Sequence, residues 1–243
     1  PQASSQPSEG SQNAEGNQAN PGEPKRGGTL RIAVQTDGTY LGLPTKQNPP
    51  VHTQRQVAPA IETLFRTDKE GKPVPWLAES YTTDPEAKTI TLNLRKGVKF
   101  HDGTDFNAEA VKWNLEMYMN AKIGGTENFQ SIDVLDEYTV RINLTQNDNT
   151  VIGNFAYMIG QIISPTSYEK NGEEWAAKNP VGTGPFKLVS WEKDGKTVYE
   201  RFDGYWQEGK PYLDKITFKV MSDANAVMNA LQAGEIQVSG LAA

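Results

Sequence analysis

Thr89-Ile90-Thr91-Leu92-Asn93-Leu94, continuing through Arg95-Lys96-Gly97-Val98-Lys99-Phe100-His101-Asp102-Gly103-Thr104-Asp105-Phe106 into Asn107-Ala108-Glu109-Ala110-Val111, changes its backbone period along its length. The strict alternation from Thr89 to Leu94 places Ile90, Leu92 and Leu94 on one face of a strand. His101-Asp102-Gly103-Thr104 is turn chemistry. Asn107 is an N-cap, and Val111, Asn114, Leu115 and Tyr118 then recur at helical spacing. Strand, turn and capped helix in one run commit this part of the chain to a mixture of both element types.

Working toward the N-terminus, Asp84-Pro85 supplies a turn that pairs the strand with Glu79–Thr83 as a hairpin. Thr67 to Pro73 is a further turn, and Val57, Ala60, Ile61 and Leu64 fall at helical spacing, predicting one amphipathic helix ahead of it. Gly28 to Val34 alternates as a first strand, followed by a polar loop from Gln35 to Pro50. Before it, Pro1 to Arg26 is Gln, Ser, Asn, Gly, Glu and Pro with almost nothing to bury. Such a segment does not offset its ordering entropy and reads as a flexible leader, either a generic tail or a tether.

Toward the C-terminus, Thr139–Leu144 is another alternating strand. Phe186–Trp191 and Lys196–Arg201 flank Asp194-Gly195, a favoured two-residue hairpin turn. Ile216, Phe218 and Val220 mark a strand, Asp223 caps a helix carrying Val227, Ala230 and Leu231, Gly234 closes it, and Glu235–Val238 begins one more strand. Helices and strands alternate irregularly with hairpins between them. The fold class is therefore α+β or mixed α/β, without an evident internal repeat.

The 243 residues contain 36% hydrophobic residues, enough for a core, and no apolar run approaches the span of a bilayer. With 24 Lys plus Arg against 30 Asp plus Glu, the net charge of −6 offers no positive field for a phosphate backbone, which argues against nucleic acid as a partner. Zero cysteines remove disulfides, thiolate chemistry and cysteine metal sites. The sequence starts at Pro1 without signal peptide or initiator Met, as a processed or trimmed product would.

No motif calls for a catalytic residue, a metal or a cofactor. His52 and His101 lie far apart without a third ligand at useful spacing, so a hydrogen-bonding role suits His101 better than zinc. No nucleophile elbow occurs. Gly182-Thr183-Gly184-Pro185-Phe186 resembles a phosphate loop, but Pro185 removes an amide donor and no Lys-Ser/Thr pair follows, leaving a structural turn into a strand. Glu173-Glu174 beside Trp175 fits the solvated start of a helix, and Asn143-Leu144-Thr145 is a glycosylation sequon only by chance. Most of the aromatic residues are core or turn anchors. Tyr40, Phe129 and Tyr157, in loops beside strand ends, are candidates for lining a cleft that takes an extended apolar or peptide ligand.

Read in order, Gly28-Thr29-Leu30-Arg31-Ile32-Ala33, Glu62-Thr63-Leu64-Phe65, Pro75-Trp76-Leu77-Ala78-Glu79-Ser80-Tyr81, the stretch from Leu94 to Val111, Gly182 to Phe186, Tyr205-Trp206 and Ala230 to Ile236 resemble the family 5 extracellular solute-binding proteins, the dipeptide, oligopeptide and nickel-binding group. The ordered set covers essentially all the chain after the leader. The resemblance implies a periplasmic-binding-protein-like lobe (type II, cluster C) with a small accessory α/β domain, and a second lobe absent from this chain. The implied division is a leader over 1–26, lobe I over 27–50 and 165–243, and an accessory domain over 51–164.

The resemblance also implies a function: a monomeric, non-enzymatic component of an ABC importer that captures a small solute, a peptide above all, and delivers it to permease subunits. It would work at the extracellular face of the membrane or in the periplasm, tethered by a lipid on a Cys removed from this sequence. An oligosaccharide or a nickel chelate could occupy the same fold. From other classes, a surface module for protein interaction or signalling and a secreted hydrolase are the competing readings. By position, Thr36, Asp37, Gly38, Thr39 and Tyr40 after the first strand, Gly124, Gly125, Asn128 and Phe129, and Tyr157 are the expected ligand-lining residues.

Overall fold

Alternating apolar residues build two sheets in the computed structural model, which describes residues 24–47 and 50–239, with the side chains of 50–52 outside that description. In chain order the elements are β1 (Thr29–Val34), α1 (Pro50–Val57), β2 (Phe65–Thr67), β3 (Pro73–Pro75), β4 (Ala78–Asp84), β5 (Thr89–Leu94), α2 (Ala108–Asn120), β6 (Phe129–Asp136) and β7 (Thr139–Leu144). They continue as α3 (Val151–Asn154), α4 (Pro165–Asn171), α5 (Glu173–Ala176), β8 (Phe186–Trp191), β9 (Lys196–Arg201), β10 (Lys215–Val220), α6 (Ala224–Gln232) and β11 (Val238–Ser239). Short 3-10 turns occupy Pro44–Lys46 and Met158–Gly160. The expected leader falls largely outside the described residues. The expected strand from Glu235 begins only at Val238.

The first sheet runs β11-β1-β10-β9-β8 and the second β4-β5-β7-β6, with β2-β3 a separate hairpin. In the first, β1 is parallel to both β10 and β11, whereas β8, β9 and β10 are antiparallel. The second is antiparallel throughout. Mixed pairing of this kind agrees with the irregular alternation of helix and strand signals.

Sequence period translates directly into burial. Ile90, Leu92 and Leu94 of β5 and Val140, Ile142 and Leu144 of β7 all point inward, and Val111, Leu115 and Tyr118 of α2 pack in the same cluster. Asn107 caps α2 by accepting the Ala110 amide at 3.0 Å, and Asp223 caps α6 by accepting that of Ala226 at 2.7 Å. Asp194, with a φ of 57°, makes the β8–β9 turn, placing a non-glycine residue where Asn, Asp and Gly are favoured. A second cluster gathers Leu41, Leu43, Ile163, Phe186, Tyr199 and Phe218 over one face of the first sheet.

The helix expected across Val57 to Leu64 is corrected: α1 ends at Val57. Pro59 has no amide to donate and disfavours helical backbone at Ala58. Ala60 and Ile61 instead bond back to the Val57 carbonyl as a single turn. The four apolar residues are nonetheless buried, with Val57, Ala60 and Ile61 in the second cluster and Leu64 in the first. Their apolarity reflects a crossing segment between two cores, which imitates helical spacing.

Candidate functional site

The loop after β1 is tied down on two sides. Asp37, 7% exposed, accepts through Oδ2 from Trp191 Nε1 and the Asp194 amide, both at 2.8 Å. Lys193 Nζ donates to the Gly38 carbonyl at 2.9 Å, and the Gly38 amide donates to Gln56 Oε1 at 3.3 Å. The β8–β9 turn therefore clasps the loop from one direction and α1 supports it from the other. A Cβ on Gly38 would lie 2.4 Å from Thr53 Oγ1, so the backbone approaches α1 as closely as only glycine allows. Thr36 offers its carbonyl toward Gln56, and Tyr40 is half-buried against the second cluster with Lys46 on its ring. Among the described residues these contacts fix the Thr36–Tyr40 segment although it has no regular structure.

Tyr157 comes to the same helix by a different route. It is 56% exposed and lines a hollow of about 330 Å³ together with Gln54, Val57, Ile61, Arg66 and Gln161. Gln161 Oε1 accepts from Gln47 Nε2 at 3.1 Å, which also reaches the Leu41 carbonyl, linking the hollow to the end of the β1 loop. The segment from Gly124 stands apart. The Gly125 amide donates to Glu127 Oε2, Asn128 donates to Asp148 Oδ2, and Phe129 opens β6 with its ring buried beside Phe155. Its link to Tyr157 is indirect: a Cβ on Gly125 would sit 3.0 Å from Asn154 Nδ2, and Asn154 accepts the Tyr157 amide. The structure thus brings Thr36–Tyr40 and Tyr157 together around α1, while Gly124, Gly125, Asn128 and Phe129 remain in the neighbouring layer.

Beneath the hollow is a group whose role sequence reasoning missed. The Glu62 side chain is fully buried and its carboxylate collects Trp76 Nε1 at 2.7 Å, Tyr205 Oη at 2.8 Å, Trp206 Nε1 at 2.9 Å, Thr183 Oγ1 at 3.0 Å and Arg66 Nη2 at 3.3 Å. The Arg66 guanidinium lies 3.4 Å from the Trp76 ring centroid, and burial lowers its pKa against the raising effect of Glu62. Burial, with Glu62 opposite, pushes the Tyr205 hydroxyl well above the usual phenol range. Glu62, Trp76, Thr183, Tyr205 and Trp206 all fall in stretches that carry the family resemblance, but their convergence on one carboxylate was not readable because the stretches are spread over the chain.

His101 serves as a hydrogen-bonding residue: its Nε2 lies 2.8 Å from the Gly184 carbonyl, its amide donates to the Gly182 carbonyl, and burial pulls its pKa down to about 4. It borders a separate hollow of about 370 Å³ with Trp175, Lys170 and Lys187, which shares no residue with the expected ligand loops. The side chain of His52 lies outside the described residues. Among the described residues no group of three or more His, Cys, Asp or Glu could hold a metal ion, and no helix is long and apolar enough to cross a membrane.

Similarity to known proteins places this face on α1 within a family. Glutathione-binding protein GsiB from Shigella flexneri is 41% identical over 179 residues, covering 72% of this chain and 35% of the relative. The chain thus spans about a third of the length of the curated relatives it matches. An ABC transporter substrate-binding protein from Sinorhizobium meliloti superposes with a TM-score of 0.76 at 34% identity, over 86% of this chain and 42% of that one. DppA from Helicobacter pylori, in complex with the peptide STSA, gives a TM-score of 0.77 at 27% identity, over 88% and 46%. Since the sequence model of the bacterial extracellular solute-binding proteins, family 5 Middle, matches residues 72–243, the chain belongs to the family 5 extracellular solute-binding proteins.

Proposed function

We propose that this chain forms one lobe of the substrate-binding component of an ABC importer, and that the solute it helps to capture is a short peptide or peptide derivative. The observation that carries the reading is the coincidence of 41% identity to a glutathione-binding protein with a fold matching a peptide-bound one. In this reading the five-stranded sheet, residues 27–50 and 165–243, is the ligand-facing lobe, and 51–164 is the accessory domain. The loop Thr36–Tyr40 lies at the lobe's open edge with Tyr157 of the accessory domain near it, and there backbone groups and waters hold a peptide with tolerance for its side chains. The ligand closes the clamp by binding the closed form more tightly than the open one, and the permease releases it by reopening the clamp. The component acts as a monomer outside the cytoplasmic membrane, on a lipid tether.

A chelated metal is the second reading, favoured by the TM-score of 0.72 and 29% identity to NikA from Brucella suis in complex with Fe(III)-EDTA. Thermal unfolding of the full-length protein with glutathione, tri- and tetrapeptides, oligosaccharides and a nickel–histidine chelate separates them. A ligand at one hundred times its Kd adds about 2.7 kcal/mol, an upward shift of several degrees. Stabilisation by the chelate alone would overturn the peptide reading.

A further inference from the structure

The hollow beside α1 contains one cation with unused hydrogen-bonding capacity. Arg66 donates from Nη2 to Glu62, and among the described residues Nε and Nη1 have no partner. Its guanidinium is held in place by stacking on Trp76, whose indole is itself pinned to Glu62. That Arg66 contact, at 3.3 Å, is the longest of the five to the carboxylate, which four neutral donors already satisfy. Glu62 borders the hollow but its side chain is fully buried, whereas that of Arg66 is 44% exposed. What the hollow presents to a ligand is therefore the free edge of the guanidinium, Nε and Nη1, a planar fork suited to a carboxylate. Around it stand apolar Val57 and Ile61 and the exposed ring of Tyr157.

We propose that this hollow is a carboxylate-binding subsite in which Arg66 receives an anionic end of a peptide ligand and Tyr157 covers the apolar group next to it. The assignment rests on the peptide-binding reading. The free donors of the guanidinium favour an anionic terminus over a cationic one, and the hollow of about 330 Å³ has room for a terminal residue.

Calorimetric titration of the full-length protein with two pairs of probes tests it: trialanine against trialaninamide, and glutathione against its diester. Wild type should bind the free acid of a pair more tightly, and Arg66→Gln should weaken the free acid about 10- to 100-fold while leaving the neutralised probe unchanged. Tyr157→Ala should weaken both members of a pair alike. Arg66→Lys, which keeps the charge but loses the fork, should lose a smaller factor confined to the free acid and serves if the Gln variant fails to fold. Equal binding of acid and neutralised probe by wild type, or an equal loss of both in the Arg66 variants, would overturn the subsite while leaving peptide binding intact. No binding of any of the four would overturn the peptide reading, and the subsite with it.

Discussion

Glu62 and His101 each hold distant segments together through a buried polar group, with opposite requirements for charge. Glu62 must accept from Trp76, Tyr205, Trp206 and Thr183, so Glu62→Ala strands four donors and the Arg66 charge. The expected cost is about 3–5 kcal/mol in chemical denaturation. Glu62→Gln should recover little, since one of its two polar atoms becomes a donor facing donors. His101 must remain neutral to stay buried. Its folded pKa of about 4 lies below the ordinary 6.5, so between those values the unfolded chain binds the extra proton. Stability is complete above pH 6.5 and falls as pH drops toward 4. Between pH 7 and pH 5 this amounts to roughly 2 kcal/mol, and urea melts of His101→Asn should lack that increment of pH dependence. An identical slope in wild type and variant would show that the imidazole does not carry it.

Among the elements, α2 and the glycine turn ahead of β8 show what local sequence can and cannot specify. Asn107→Ala removes the cap on the Ala110 amide and should cost about 1 kcal/mol, read as a lowered midpoint at unchanged m-value. Gly184→Ala should cost more, because its Cβ would lie 2.4 Å from the Pro59 carbonyl oxygen, which belongs to backbone and has little room to yield. The cap was legible in the sequence, as were the alternating strands β5 and β7 and the Asp194-Gly195 turn, because each depends on residues a few positions apart. The reason for the glycine was legible only as a turn, since the backbone it approaches lies far upstream. The end of α1 was misread because Val57, Ala60, Ile61 and Leu64 serve two cores and their spacing says nothing about which. The candidate site was legible as a place, the loop leaving β1, and not as a construction. Asp37 finds its partners 154 and 157 positions away, and Glu62 finds three of its own 121, 143 and 144 positions away.

Those long separations determine how the whole molecule should behave. The crossing segment leaves the second cluster at Ile61 and enters the first at Leu64, while Gly184 donates to the Ala60 carbonyl and Thr183 to Glu62 nearby. His101 adds a contact from the turn before α2 to the same glycine turn ahead of β8. Neither sheet can detach without exposing this junction, so the two should open as one cooperative unit. In native-state hydrogen exchange, the slowest amides of β5 and β7 should share one opening free energy with those of β9 and β10. Glu62→Ala should separate them, lowering protection on both sides of the junction but unequally, because each sheet retains its own apolar cluster. Two distinct opening energies already present in the wild type would mean that the sheets are independent. The open face on α1 would then sit at a hinge between them instead of on a rigid lobe.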